Sequence, residues 1–351
     1  MSSSSEFRLA VLNPKGRDAF LDYTRGVGAW RAGVHAPINF HAYAAATKGA
    51  FFDSPEALAR DDRFPAVLLL IRHRTFVSLE AARRLKQAGK TLLVSWKECG
   101  PYQIAEQLGC ATALQDYAEI LDLADGILSP TLVPPPRWGW ISVEEFRRKL
   151  RFIPTPYAVD LASWDYSLPV ENRAGILVGT REFLTPTRNH LRALAEIATL
   201  ASELKVPVTV INGDNRLGMR MLHSLEESFP EASLHIVERP LTYGDYLRLM
   251  ARHKLVFHLD RGSVPGQVAG DALLCRTLCA GGNSAVEKVA FPGLSDDGSG
   301  NLESIYANLR RLFADKTFYD DEVAASQSLA AEHLSFASAA NQLERFVAEV
   351  G

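Results

Sequence analysis

Residues Leu255–Pro292 read LVFHLDRGSVPGQVAGDALLCRTLCAGGNSAVEKVAFP, and this stretch sets the expected fold. Leu255-Val256-Phe257-His258-Leu259 is an apolar run of the length of one buried strand. Asp260, Arg261, Gly262 and Ser263 follow, then Pro265 and Gly266, then an apolar segment through Val268, Ala272, Leu273 and Leu274. Ser263 suits an N-cap and Pro265 the first turn of a helix. A strand, a small polar loop and a helix start point unpaired backbone N–H groups into a cleft, where they suit a phosphate or a sugar hydroxyl. The plainer alternative is a Rossmann-like strand and helix with no ligand.

The order of strand, polar loop, glycine, apolar helix with one carboxylate, second strand and the Gly281-Gly282 pair resembles the donor-site segment of GT-B glycosyltransferases. More narrowly it is similar to glycosyltransferase family 4, the large retaining group with two glutamates eight positions apart. In that group the first glutamate touches the transferred hexose and the second holds the ribose. Asp271 falls on the second position and Ser263 on the first, both departing from glutamate. Asp271 reaches one methylene less far than the family's residue. The resemblance implies an α/β GT-B architecture, two Rossmann-like domains facing across a cleft.

Bulk composition agrees with a two-domain α/β chain but goes no further. The chain has 351 residues, enough for two domains that each bury a core. Its net charge of −3 gives no reason to expect nucleic acid. Cys99, Cys110, Cys275 and Cys279 lack CxxC spacing and read as reduced thiols of a cytoplasmic protein. No apolar run approaches a membrane span, and MSSSSEF lacks the apolar core of a signal peptide. Any membrane contact is expected to be peripheral, on the inner face.

From the start, Arg8–Leu12 reads as a strand and Asn13–Arg17 as a turn before a helix around Asp18–Arg25. In GT-B enzymes the loop after the first strand often faces the acceptor, which makes Lys15, Gly16 and Arg17 candidates; an ordinary Pro/Gly turn is the alternative. His35 and His41 are six apart with no third ligand, so no metal site is expected. Asn39 and His41 could line an acceptor site, or His41 could be structural. Val67–Ile71 is a continuous apolar strand with Arg72-His73-Arg74 at its end, where ligands collect in open α/β sheets. Thr91–Trp96 is another strand, followed by Lys97 and Glu98. Glu98 is the expected carboxylate for an acceptor hydroxyl, with Lys97 as its partner, unless it caps the helix near Pro101.

Ala124–Pro130 resembles the strand that closes the first GT-B sheet, and Thr131–Trp140 is a proline-rich loop. The basic run in Glu144–Arg151 is either a solvated helix face or a patch for anionic lipid headgroups. Phe152–Asp160 resembles the segment that ends the first domain, giving expected boundaries of 1–165, 166–333 and a terminal helix 334–351 that the fold sends back to the first domain.

In the second domain the family places an arginine and a lysine after its "VG" to hold the donor diphosphate. Thr180 and Arg181 follow Gly179, and Arg188 stands for the lysine, each slightly displaced. Val237 and Arg239 fall where relatives read the nucleobase. Taken with the resemblance, Gly266, Gln267 and Val268 offer backbone N–H groups to the diphosphate or hexose.

The implied function is a metal-independent retaining transferase that uses no cofactor. It moves a hexose from a nucleotide-diphosphate sugar, UDP-glucose first, to a glycan or lipid-linked acceptor in polysaccharide synthesis. Arg181 and Arg188 would stabilise the departing diphosphate, and Glu98 or His41 would help the acceptor. Two alternatives stand beside it: a catalytically inactive GT-B protein that binds a sugar nucleotide or scaffolds polysaccharide assembly, and a UDP-sugar epimerase.

Overall fold

A computed structural model describes residues 7–28, 37–179, 185–213, 215–229 and 233–351. The chain divides into two units, one of residues 1–156 with 334–351 and the other of residues 157–333. The first boundary thus falls at Pro156/Tyr157 rather than at 165/166.

The first unit opens with β1 (Leu9–Leu12), β2 (Leu21–Asp22), α1 (Phe40–Ala46) and β3 (Ala50–Phe52). It continues with α2 (Pro55–Ala59), β4 (Ala66–Ile71), α3 (Thr75–Gln87), β5 (Thr91–Trp96), α4 (Pro101–Gln107) and α5 (Ala111–Leu123). β6 (Gly126–Ser129), α6 (Val143–Lys149) and β7 (Leu150–Phe152) complete the sheet. The strand order is β2-β3-β1-β4-β5-β6-β7, parallel except for β2. Every residue of β4 is buried, as expected for a strand covered on both faces. The helix expected over Asp18–Arg25 is absent. Asp22 Oδ1 accepts hydrogen bonds from both the amide and the hydroxyl of Thr24, a local turn that competes with helix, and Leu21 pairs with Phe51 instead.

The second unit holds β8 (Ile176–Val178), α7 (His190–Leu204), β9 (Val208–Ile211), α8 (Asn215–Glu226), β10 (Leu234–Val237) and α9 (Tyr243–Met250). β11 (Leu255–Phe257), α10 (Gln267–Leu274), β12 (Leu278–Ala280) and α11 (Ala285–Ala290) follow, then α12 (Glu303–Ala314) and α13 (Lys316–His333). Its sheet is all parallel, in the order β10-β9-β8-β11-β12. The final helix, α14 (Phe336–Val350), belongs to the first unit, where the Phe346 ring occupies the space that a side chain at Gly126 would fill.

Each sheet reverses its direction of growth once. In the first unit the reversal lies between β1 and β4; in the second it lies between β8 and β11. Open α/β sheets bind ligands outside the carboxyl ends of the strands at such points.

Candidate functional site

In the second unit, Gly179 directly follows β8, and a Cβ on it would press on Val268 of α10 and Val256 of β11. The end of β8 therefore lies against the first turn of α10. The helix begins at Gln267 behind Gly266, whose φ of 105° is open to glycine and strained for other residues. A Cβ at Gly266 would also overlap the Ser284 hydroxyl. Ser263 and Pro265 thus lie before the helix rather than capping it. Ser263 has φ 45°, its amide donates to Asn283 Oδ1 at 3.0 Å, and its hydroxyl accepts from Asn283 Nδ2 at 3.2 Å. No side chain caps α10, and an uncapped helix start of this kind suits an anion.

Arg188 arrives at the same strand end. The 3-10 turn Pro186–Arg188 is tied to the loop after β11, because the Arg261 amide donates to the Thr187 carbonyl (2.9 Å) and Asn189 Nδ2 to the Leu259 carbonyl (2.9 Å). The guanidinium forms a short ion pair with Asp260, whose other oxygen accepts from the Gly262 amide at 2.8 Å. Arg188 is therefore brought to the switch point, with part of its charge already balanced by a buried carboxylate. The same pairing explains how a cation is tolerated beside the start of α7, where it opposes the helix dipole.

Glu287 supports this wall from behind. Its oxygens accept from the amides of Gly282 (2.9 Å) and Ser284 (3.0 Å), and the Ser284 hydroxyl accepts from the Glu287 amide. His258 Nε2 lies 3.2 Å from the same carboxylate. Burial alone would raise the Glu287 pKa, yet the imidazolium of His258 and the Ser284 bonds hold it below the ordinary range; reciprocally His258 is raised by Glu287 against its own burial. His258, Cys279 and Glu287 bring donor atoms within 4.8 Å of one another. That geometry resembles a ligand set, but the carboxylate is committed to two amides and an imidazole, and burial pushes the Cys279 thiol well up.

Asp271 departs from its expected role as a ribose ligand. It is 1% exposed, and the Tyr243 hydroxyl donates to its Oδ1 at 2.6 Å. Burial pushes its pKa up to about 7, offset in part by that hydrogen bond. The helix turns this position toward α9 rather than outward. Val237 and Arg239 lie at the end of the edge strand β10, two strands and about 10 Å from β8 by ordinary strand spacing. Thr180 and Arg181 lie outside the described residues.

In the first unit the Asn13–Gly16 turn is fixed to two neighbouring strand ends. The Lys15 amide donates to the Asp53 carbonyl (3.0 Å), and Arg72 Nη1 donates to the Lys15 carbonyl (3.3 Å). Lys15 has φ 54°, and a side chain at Gly16 would overlap Asn13. Glu98 follows β5 and pairs with Lys97 at 3.0 Å, both half-buried. It does not cap α4: that N-terminus is Gly100, whose amide donates to Gln103 Oε1 at 3.2 Å. Lys15, Arg17, Arg72, Arg74 and Lys97 therefore gather cationic side chains along one edge of the sheet, at the strand carboxyl ends, with His73 among them. Asn39 stands exposed at the start of α1 with φ 51°. His41 departs from its expected place beside an acceptor. It is 3% exposed, stacked on Phe51 at 3.6 Å, with the Tyr23 hydroxyl 3.2 Å from Nδ1 and Asp18 3.7 Å from Nε2. That is the setting of a core histidine.

Asp260, Asn283 and the His258–Glu287 pair are additions that the sequence reading does not contain. Only Ser284-x-x-Glu287 carries a local signal, the capping-box spacing.

Comparison with solved structures places this architecture. A glycosyltransferase from Rickettsia africae ESF-5 superposes with a TM-score of 0.62 at 10% identity, covering 98% of each chain. An alpha,alpha-trehalose 6-phosphate synthase from Burkholderia multivorans gives 0.61 at 9% identity, covering 98% of this chain and 97% of that one. A UDP-forming trehalose-phosphate synthase from Burkholderia xenovorans gives 0.58 at 10% identity, covering 98% and 99%. The fold is GT-B, with two Rossmann-like domains. No protein-family model matches the chain, and no curated protein sequence matches it.

Proposed function

We propose that the chain is a retaining glycosyltransferase that takes a hexose from a nucleotide-diphosphate sugar, UDP-glucose in the first instance. The observation that carries this reading is the junction in the second unit, where the uncapped start of α10, the end of β8 and Arg188 meet at the sheet's switch point. Backbone N–H groups from Gln267 onward hold the diphosphate, the helix dipole favours its charge, and Arg188, oriented by Asp260, balances the negative charge that grows as the diphosphate leaves. The C1–O bond to the diphosphate breaks as the acceptor oxygen bonds to C1 on the same face. The acceptor's proton passes to the departing phosphate oxygen, so atoms and charge balance without a divalent metal. The basic strand ends of the first unit, with Glu98 beside Lys97, take the acceptor, a glycan or lipid-linked sugar.

The family 4 likeness is kept as the finer reading. At its first glutamate position Ser263 is small and bonded to Asn283, so contact with the hexose falls to backbone groups. A second reading, a non-catalytic sugar-nucleotide binder, is favoured by one observation: the Asp271 carboxylate is bonded to Tyr243 instead of standing open for a ribose. UDP release from UDP-glucose in the presence of an acceptor panel separates the two. Acceptor-dependent release supports transfer; donor binding with no release under any acceptor assigns the chain to the second reading.

A further inference from the structure

Ten large apolar side chains are exposed among the described residues, and five of them lie between positions 132 and 143: Leu132, Val133, Trp138, Trp140 and Val143. Trp138 is 46% exposed and Trp140 is 84% exposed, extreme for the largest apolar side chain. The loop that carries them is firmly built. Ser129 Oγ donates to the Thr131 carbonyl (2.8 Å), Thr131 Oγ1 to the Val133 carbonyl (2.7 Å), and the Tyr117 hydroxyl to the Pro136 carbonyl (2.8 Å). Gly139, with φ 80°, rests on Ala118 of α5 so closely that no side chain fits between them. Hydroxyl-to-carbonyl bonds and the close Gly139–Ala118 approach thus hold the Trp-Gly-Trp turn against the helix, with the Trp140 indole in solvent and the Trp138 indole half-exposed.

The charges around this face are of one dominant sign. Arg137 Nη1 donates to the Ile141 carbonyl at 2.7 Å and keeps its other donors. On α6, Arg147 and Arg148 are exposed and make no ion pair among the described residues, whereas Glu145 is engaged by Lys149 at 3.2 Å. Within residues 137–149, Arg137, Arg147 and Arg148 therefore stand beside one unengaged acid, Glu144, in a chain whose net charge is −3.

We propose that residues 132–143 and the exposed side of α6 dock on an anionic lipid bilayer, with Trp138 and Trp140 in the headgroup layer and Arg137, Arg147 and Arg148 on the lipid phosphates. Tryptophan favours that layer because an apolar ring and an N–H are both accommodated there, and each arginine near the surface adds attraction that salt screens. A second copy of the chain is the poorer occupant, because a twofold contact centred here sets these arginines against their own mates. The loop leaves the carboxyl end of β6, the sheet edge that also carries Lys15, Arg72 and Glu98. An acceptor held in a membrane would meet that edge.

The test is co-sedimentation of the full chain with vesicles of phosphatidylcholine alone or mixed equally with phosphatidylglycerol, which requires no sugar nucleotide. The expected result is binding to the mixed vesicles only, weakened by salt, with a blue shift of tryptophan emission. Trp138→Ser/Trp140→Ser should reduce binding on the order of tenfold or more, and Arg147→Ala/Arg148→Ala on the order of tenfold with a shallower salt dependence. Unchanged circular dichroism melts verify that these surface variants fold. Parent protein that stays in the supernatant with both vesicles, or a tryptophan variant that binds like the parent, overturns the proposal. So does a parent dimer that the tryptophan variant makes monomeric without vesicle binding, which would give the face to a second copy.

Discussion

Arg188 and Asp260 form a contact whose two halves depend on each other. Removing the guanidinium leaves a carboxylate 3% exposed without its ion-pair partner. Arg188→Ala should therefore destabilise the second unit by about 3 kcal/mol, and Arg188→Ala/Asp260→Asn should recover most of it. Urea unfolding measures both; equal losses in the single and double variants would contradict the pairing. Asp271 makes a second residue-scale prediction, about pH. Its folded pKa, near 7, lies above the ordinary value of 3.8, so its contribution is fully present at low pH and is lost as pH rises toward 7. The loss is on the order of 4 kcal/mol at most. In melting, Asp271→Asn should thus exceed the parent most at pH 8.5, by about half as much at pH 5.5, and approach it only near pH 4. A melting difference independent of pH would remove the buried carboxyl from the account. Sequence spacing finds the positions of Arg188, Ser263 and Asp271. It does not say that a carboxylate 72 residues from Arg188 will balance its charge, or that Asp271 turns toward Tyr243.

Among elements, the junction of Gly266 with α10 and α11 is the sharpest. A side chain at Gly266 meets both a positive φ and the Ser284 hydroxyl that caps α11. Gly266→Ala should cost roughly 1–3 kcal/mol of stability and weaken donor binding together, since the leading amides of α10 move with the strain. Melting curves and nucleotide titration of the same preparation check it; parent-like values in both would show that the loop relaxes freely. The central strands are legible in the sequence for a physical reason: buried parallel strands read as apolar runs, unbroken in Ala66–Ile71 and mostly so in Thr91–Trp96, where Thr91 and Ser95 interrupt it. β2, with two residues, and β7, with Arg151 at its middle, carry no such run and take their form from the neighbours they pair with. The start of α10 slipped from Ser263 to Gly266 because the small-residue loop is held by Asn283, twenty positions away.

At the scale of the whole molecule, the order of motifs along the chain made the two Rossmann-like domains legible, while composition alone reached only an α/β class. The closing helix α14 belongs to the first unit through Phe346 on Gly126 and the Arg151–Glu349 pair. Deleting residues 334–351 should raise hydrogen exchange across β5 and β6 and leave β8, β9 and β11 protected; equal deprotection of both sheets would contradict the division. The central claim, that the second unit holds a nucleotide diphosphate at the start of α10, is tested most directly by calorimetry. The protein is titrated with UDP, GDP, ADP and their glucose or mannose conjugates, with and without magnesium. The account predicts selective binding of one nucleotide, UDP in the first instance, with the same affinity in both buffers. Binding of none of them, or binding only when magnesium is present, would contradict it.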